Sequence, residues 1–220
     1  PAISADGRWL VSWDSDASFT IYETDTGRPK HEVNAYGSRG GGTLLGGCYL
    51  PFVKSEFSHD GGKIVTVNSH CSLDPEIKVW DVASGKLLRA FDLPRGDPSS
   101  MAISTDSQVL AIGTWQGELV LLDLSTGKTV RRAKLYPSGI TSVAFSTDSN
   151  IIVSASNQGL IELRNVASGS LLQTLDAGGT VNELALSKDG RRLVSNRTDG
   201  LAQLWDTSAE SLIASFIALE

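Results

Sequence analysis

Residues 181–207, VNELALSKDGRRLVSNRTDGLAQLWDT, show most clearly how the chain is organised. Short apolar runs alternate with polar turns: an S-K-D-G turn follows the first run, a T-D-G turn follows the second, and the third ends in Trp205-Asp206. Apolar runs of this length between turn residues predict β-strands. The same order recurs at 143–165 and at 101–123, so this stretch is one copy of a repeat.

Equivalent residues of the three copies are separated by a nearly constant interval. Asp106, Asp148 and Asp189, each in the first turn of its copy, lie 42 and 41 residues apart. The strand ends keep the same two intervals: Leu122, Arg164 and Trp205. A period in the forties built from short strands is typical of propeller blades.

Five such units account for the chain, and each holds four short strands. They cover approximately 1–33, 50–91, 99–135, 140–175 and 181–218, with a glycine-rich insertion at 34–49. The first strand of the first unit is truncated and no initiator Met precedes it, so we expect a piece of a longer protein. We predict an all-β fold: a β-propeller of four-stranded antiparallel blades, with about five blades present, as a single domain or part of a larger ring.

The turns and strand ends of these units resemble those of WD-repeat β-propellers. The resemblance rests on the S-x-D-G turn, the L-V-S strand, the D-G hairpin, the W-D ending and the following T-G, and it covers the whole chain. Two departures stand out: the family's Gly-His pair is absent from every unit, and only units two and five keep Trp-Asp. The family's buried hydrogen-bond network is therefore incomplete here, although Asp199, Ser195 and Trp205 supply three members in unit five.

The resemblance implies a structural role for the polar turn residues and the Trp-Asp pairs, because such residues hold turns and blades together. The residues concerned are Asp6, Asp60, Asp106, Asp148, Asp189, Trp80, Asp81, Asp199, Trp205 and Asp206.

Composition argues against several classes of partner. The formal net charge is −6 and no run of basic residues occurs, which disfavours a nucleic-acid-binding surface. No apolar stretch approaches the roughly 20 residues that a membrane helix needs, and no signal peptide is visible at the N-terminus. Two cysteines are too few for a disulfide-dense secreted scaffold. We therefore predict a cytoplasmic protein that binds neither nucleic acid nor membranes.

The two ends of each predicted blade differ in how much their loops vary. A four-stranded meander places its first-to-second and third-to-fourth turns at one end, where every unit has nearly the same short turn. The hairpin turns and blade links at the other end all differ, and two insertions also fall there. The links are 34–50, 92–98, 136–139 and 176–180, and the insertions are 34–50 and 69–75. Because rigid scaffolds carry recognition on variable loops, we place the binding face here; the alternative is that these loops vary because nothing selects them.

Aromatic and arginine side chains on this face are the candidates for partner contacts, because both types are enriched among the residues that dominate interfaces. The candidates are Trp115, Arg197, Tyr136, Arg95, Tyr49 and Arg39. For each of them, the alternative is that the side chain only packs against the next blade.

Neither a phosphate-binding loop nor a metal site is predicted. The glycine-rich stretch 37–47 lacks the G-x-x-x-x-G-K-[ST] pattern and the helix that such a loop requires. Cys48, His70 and Cys71 offer three ligands where zinc normally takes four. His31 and His59 lie elsewhere in the predicted blades, so the three histidines do not converge. We predict no cofactor.

A disulfide between the two cysteines is disfavoured by register. If Ser58 pairs with Lys63, the extended ladder sets Cys48 and Cys71 a diagonal apart, about 7–8 Å between α-carbons. This separation exceeds usual disulfide geometry, which favours free thiols.

These observations favour a non-catalytic scaffold that docks a protein or peptide on the variable loops. One alternative is a sensor or regulatory module of a larger signalling enzyme, such as a kinase or NTPase, whose partner domain lies in a longer parent chain. A third class is a propeller hydrolase or lyase, for which Glu183, at the start of an inner strand, is the residue to test.

Overall fold

The computed structural model describes residues 1–14, 18–35, 52–70, 73–93, 96–209 and 211–217, with only the backbone described at 52, 53, 69, 70 and 73–75. In this part of the chain every regular element is a β-strand, and the strands form five four-stranded antiparallel sheets. The predicted all-β fold with four-stranded antiparallel blades is therefore confirmed. Within the same residues, no helix is long and apolar enough to cross a membrane.

The strands belong to two compact units, and the first covers Pro1–Arg95. This unit contains two sheets, and the opening strand of sheet 1 has only two residues. Sheet 1 consists of β1 (Ala2–Ile3), β2 (Trp9–Trp13), β3 (Ser18–Glu23) and β4 (Pro29–Asn34), and sheet 2 of β5 (Phe52–Phe57), β6 (Lys63–His70), β7 (Leu73–Asp81) and β8 (Leu87–Asp92).

The second unit covers Gly96–Glu220 and contains three sheets. Sheet 3 consists of β9 (Pro98–Ile103), β10 (Val109–Thr114), β11 (Glu118–Asp123) and β12 (Thr129–Lys134). Sheet 4 consists of β13 (Ile140–Phe145), β14 (Ile151–Ser156), β15 (Leu160–Asn165) and β16 (Leu171–Asp176). Sheet 5 consists of β17 (Val181–Leu186), β18 (Arg192–Arg197), β19 (Leu201–Asp206) and β20 (Ser211–Ile217).

Consecutive strands are hydrogen-bonded neighbours in every sheet, so each sheet is a simple meander. Its first-to-second and third-to-fourth turns therefore lie at one end, which we call the turn end. Its second-to-third turn and the links to other sheets lie at the opposite end, which we call the loop end.

The core forms where the apolar faces of neighbouring sheets pack together. In the first unit, Phe19 and Ile21 of sheet 1 meet Trp80 of sheet 2. In the second unit, sheet 4 is buried on both faces, because successive side chains of a strand point to opposite sides. Ile152 packs with the residues of sheet 3, and its neighbour Val153 packs with those of sheet 5.

Residues 69–75 are predicted above to be a loop insertion, and for most of them this prediction is wrong. β6 continues to His70, β7 begins at Leu73, and these two residues pair. A register shift between Asn68 and His70 takes up the odd residue. Extending the hairpin gives the backbone N–H and C=O groups partners in the ladder, which a loop would have left to water.

The register predicted for the first hairpin of sheet 2 is observed. The N–H of Ser58 donates to the carbonyl of Lys63 at 2.9 Å, and the pairing continues without a shift to Phe52 opposite Ser69. The positions of Cys48 and Cys71, to which this register was extended, lie outside the described residues.

Candidate docking surface

The loop end of the second unit is held by a repeated pair of backbone hydrogen bonds. A hairpin residue donates its N–H to the link that precedes its sheet, and a link residue donates its N–H to the carbonyl of a hairpin glycine. The first kind joins Trp115 to Asp97, Asn157 to Gly139 and Thr198 to Thr180, at 2.9–3.0 Å; the second joins Leu135 and Tyr136 to Gly117, and Ala177 to Gly159. This pattern makes the variable loops a rigid scaffold.

Trp115 is the exposed aromatic side chain of this scaffold. Its indole is 54% exposed although it belongs to the tight turn between β10 and β11. A β-carbon placed on Gly139 would lie 3.0 Å from the ring, so the glycine leaves room for the indole to pack against the link. The equivalent positions in the other two hairpins hold Asn157 and Thr198, which make the same backbone bond. The turn therefore does not need an indole at this position.

A side-chain clip fixes the segment beside Trp115. The backbone N–H of Asp97 donates to the Gln116 amide oxygen at 3.0 Å, and the Gln116 amide nitrogen donates to the Asp97 carboxylate at 3.0 Å. Both side chains are exposed, so they frame the indole with polar groups. Sequence reasoning missed this clip, although Asp97 and Gln116 flank the position where the ladder of β9 and β10 ends.

Tyr136 is not a surface contact, which corrects the prediction made for it. Its side chain is 2% exposed, and its hydroxyl donates to the Ser154 carbonyl at 2.9 Å and accepts from the Glu162 N–H at 3.1 Å. Burial raises the pKa of the Tyr136 phenol, partly offset by the hydrogen bond with Ser154. The side chain folds back into sheet 4 because a buried carbonyl there accepts its hydroxyl.

Arg197 serves mainly as an internal clamp on the link between β16 and β17. One of its guanidinium nitrogens donates to the Ala177 carbonyl at 2.7 Å and another donates to the Asp199 carboxylate at 2.5 Å. A β-carbon on Gly179 would lie 2.6 Å from the guanidinium, so the link passes directly over it. The Arg197 side chain is 17% exposed, which leaves little of it for a partner.

The remaining predicted contacts are Arg95, Tyr49 and Arg39, and all three lie outside the described residues. Glu183 is exposed on β17, opposite Asn196. Among the residues that the structure describes, no three of His, Asp and Glu come together as metal ligands would.

The turn end carries the same serine–aspartate bond in all five sheets. The serine hydroxyl donates to the carboxylate two residues later at 2.6 Å, and the carboxylate accepts a backbone N–H two residues further on. The pairs are Ser4–Asp6, Ser58–Asp60, Ser104–Asp106, Ser146–Asp148 and Ser187–Asp189.

These bonds stabilise the ionised aspartates. The Ser146 hydroxyl, together with the Asn150 N–H, lowers the pKa of Asp148 to about 2. The corresponding serine is also the main cause that lowers the pKa of Asp6, Asp60 and Asp189. Hydrogen bonds that favour the charged form lower a carboxyl pKa in this way.

In each of the two Trp-Asp endings, the tryptophan and the aspartate make different kinds of contact. The indole nitrogen of Trp205 donates to the Ser195 hydroxyl at 2.9 Å, and that of Trp80 donates to the Thr66 hydroxyl at 3.1 Å. The carboxylates that follow cap the next turn: Asp206 accepts from Ser208 and Ala209, and Asp81 from Ser84.

Asp199 does not join the buried network of sheet 5, which corrects the grouping with Ser195 and Trp205. Its carboxylate is 54% exposed and pairs with Arg197. The Ser195 hydroxyl donates to the Gln203 side chain at 3.3 Å instead. Asp199 lies in the hairpin turn at the loop end, where its carboxylate accepts a hydrogen bond from the Arg197 guanidinium.

A family comparison identifies the repeated unit. The sequence profile of the WD domain, G-beta repeat, matches residues 127–163 and 169–206. Each match begins in the turn before the fourth strand of one sheet and ends in the third strand of the next. The first match covers β12–β15 and the second covers β16–β19.

WD repeats generally mediate protein–protein contacts and bind proteins or peptides, and WD propellers are typically non-catalytic. The two matched repeats lie among five sheets of the same build and share their turn chemistry with the others. The part of the chain from 127 to 163 and from 169 to 206 is therefore similar to WD repeats.

Proposed function

We propose that this protein is a non-catalytic scaffold that docks a protein or peptide partner on the loop end of its second unit, with Trp115 as the central contact. The observation that carries the proposal is the exposed indole in a turn whose equivalents do without one. Trp115, Asn157 and Thr198 make the same backbone bond, and only Trp115 adds a large apolar surface. A side chain that the fold does not require is available for recognition.

The surroundings of Trp115 have the composition of a small interface centre. Buried aromatic anchors ringed by polar contacts dominate the energy of protein interfaces. Asp97 and Gln116 supply polar groups on one side of the indole, and Gly139 lets it lie against the link on another. The backbone bonds of this loop end fix the turn that carries the indole before a partner arrives, which lowers the entropy lost on binding.

The test uses a displayed library of random peptides selected for binding to the 220-residue chain. Binding of the enriched peptides is then measured on Trp115→Ala, with Asn157→Ala as the matched control, because Asn157 makes the equivalent backbone bond. We expect Trp115→Ala to weaken binding at least about tenfold, a hot-spot loss of roughly 1.4 kcal/mol or more. We expect Asn157→Ala to bind the same peptides as tightly as the unsubstituted chain does.

Thermal unfolding of both variants establishes that the loss is local. Because the indole is exposed and makes no contact that the turn needs, Trp115→Ala is expected to melt within a few degrees of the unsubstituted chain. Enriched peptides that bind Trp115→Ala as tightly as the unsubstituted chain would refute the role given to the indole.

A further inference from the structure

The fourth strand of sheet 3 is basic, although the chain as a whole is acidic. Residues 128–134, KTVRRAK, hold four of the 19 lysines and arginines of a chain whose formal net charge is −6. The equivalent segment of sheet 4, residues 170–176, reads SLLQTLD and holds none. Both strands pair with the third strand of their sheet through the same register shift. The fold therefore does not require basic residues on this strand.

The cations of this strand differ in whether the protein neutralises them. A guanidinium nitrogen of Arg131 donates to a backbone carbonyl of sheet 4 at 2.7 Å. The Arg132 guanidinium forms an ion pair with the Glu118 carboxylate. Lys134, the last residue of β12, donates from its ammonium to the carbonyl of Gln116, which carries no charge. Among the described residues no carboxylate forms an ion pair with Lys134, so its positive charge is left without a counter-charge.

The position of Lys134 carries no cation in any other sheet. Lys134 pairs with the residue that opens the regular part of the third strand, Glu118. The residues with the same pairing in the other sheets are Asn34, Asp92, Asp176 and Ile217. In sheet 4, the Asp176 carboxylate accepts the N–H of Gly178 at 2.8 Å and so caps its own link. The ammonium at this position is thus specific to sheet 3, as the indole of Trp115 is.

The Lys134 ammonium and the Trp115 indole belong to the same turn. Gln116, whose carbonyl accepts from Lys134, directly follows Trp115. The other charged group at this turn is the Asp97 carboxylate, which accepts from the Gln116 amide nitrogen at 3.0 Å and makes no ion pair with Lys134. An extended segment rises about 3.3 Å per residue, so side chains a few residues apart on one partner segment can contact both groups.

We propose that the partner docked at Trp115 is an acidic protein segment, in which an apolar side chain packs on the indole and a nearby Asp or Glu pairs with the Lys134 ammonium. This inference rests on the proposed function, because it requires docking at Trp115. Lys134 is exposed, so the pair lies at the rim of the contact. Such a pair adds modest affinity but selects against partners of the wrong charge.

The test uses the peptides selected on the 220-residue chain, remade with each Asp or Glu replaced in turn by Asn or Gln. Fluorescence anisotropy measures their Kd at low and at high salt. We expect neutralising one acidic position to weaken binding about two- to fivefold at low salt, and the difference to shrink at high salt. On Lys134→Met, the acidic peptide is expected to show the same loss, and neutralising it is expected to cause no further loss.

Two other variants separate a local contact from a general effect of charge. Lys128→Met removes the same charge from the opposite end of the basic segment and is expected to bind like the unsubstituted chain. Lys134→Glu reverses the charge beside Trp115. It is expected to bind a peptide whose acidic residue has been changed to Lys more tightly than the original peptide, which reverses the preference of the unsubstituted chain.

The failure of this inference and that of the proposed function give different results. If Trp115→Ala weakens binding while Lys134→Met and Lys134→Glu do not, docking at Trp115 stands and the acidic partner is overturned. If Trp115→Ala leaves binding unchanged, the proposed function fails and this inference fails with it. Equal losses in Lys128→Met and Lys134→Met also overturn the inference, because the effect would then come from net charge and not from a contact at Lys134.

Discussion

The hydroxyl of Tyr136 donates a hydrogen bond of 2.9 Å to the carbonyl oxygen of Ser154. Ser154 lies opposite Glu162 in the ladder of β14 and β15, and the N–H of Glu162 donates to the same hydroxyl. A residue of the link between sheets 3 and 4 is therefore tied to both members of one strand pair inside sheet 4. The link is part of the core of that sheet.

Tyr136→Phe is expected to lower the free energy of unfolding by about 1–3 kcal/mol, because it leaves a buried carbonyl and a buried N–H without their side-chain partner. Urea unfolding followed by circular dichroism measures the change. Tyr22→Phe is the matched control, since the Tyr22 hydroxyl has no hydrogen bond to any described residue. A loss of the same size in both variants would contradict the role of the Tyr136 hydroxyl.

Trp205→Phe is expected to destabilise the protein by about 1–3 kcal/mol, through loss of the bond from the indole nitrogen to the fully buried Ser195 hydroxyl and loss of packing. The same substitution at the exposed Trp115 is the control and should change the unfolding free energy by less than about 0.5 kcal/mol. Chemical denaturation of both variants gives the comparison. Equal effects at the two tryptophans would show that the buried bond contributes nothing.

Gly117→Ala and Gly200→Ala separate backbone strain from crowding. Both glycines have positive φ, +78° and +84°, so alanine costs about 1–2 kcal/mol at either one. A β-carbon at Gly200 meets nothing within 4 Å, whereas one at Gly117 lies 2.1 Å from the Ser138 carbonyl oxygen and 2.4 Å from that of Tyr136. We expect Gly117→Ala to lower the free energy of unfolding, measured in urea, by a further ~1–3 kcal/mol. Equal losses in the two variants would show that a β-carbon at Gly117 is not crowded by these carbonyl oxygens.

Asp148→Asn is expected to cost the most stability near neutral pH and progressively less in acid. The folded-state pKa of Asp148 is about 2, below its ordinary value of 3.8, so the unfolded state binds more protons between these values. The stabilisation that the ionised Asp148 carboxylate contributes is present above pH 3.8 and is lost as the pH falls through about 2. The measurement is the unfolding free energy of both proteins across this range.

The control for this pH series is Asp25→Asn, since the exposed Asp25 carboxylate has no hydrogen bond to any described residue. Its difference from the unsubstituted chain is expected to stay small throughout. If the difference caused by Asp148→Asn were the same at pH 3 as at neutral pH, the bond from Ser146 would not be the source of the stabilisation.

The repeat period and the turn residues predicted most of the fold, because they act locally. The Ser58–Lys63 pairing is observed as predicted. A serine and an aspartate two residues apart fix a turn by their own hydrogen bond, and strand alternation then sets the faces. The 69–75 segment was misjudged because a bulge lets strands lengthen where the repeat pattern shows only an insertion.

The candidate docking surface was less predictable, because exposure depends on partners far along the sequence. Tyr136 and Trp115 are both aromatic residues of loops at the same end, yet one is 2% exposed and the other 54%. The difference is an acceptor 18 residues away, the Ser154 carbonyl, which is within reach of Tyr136. The Arg197 guanidinium likewise donates to the carbonyl of Ala177, 20 residues earlier. No local pattern encodes these contacts.

Each matched WD repeat ends in the third strand of a sheet, and the fourth strand of sheet 4, β16, belongs to the second match. A tandem duplication or deletion of one repeat in the gene therefore places its junction inside a hydrogen-bonded ladder, between strands such as β15 and β16. Every sheet that spans such a junction contains strands from two repeats. Adding or removing one repeat therefore gives the neighbouring sheet a different fourth strand. Substitutions in an outer strand are consequently selected for their fit to the preceding repeat as well as to their own.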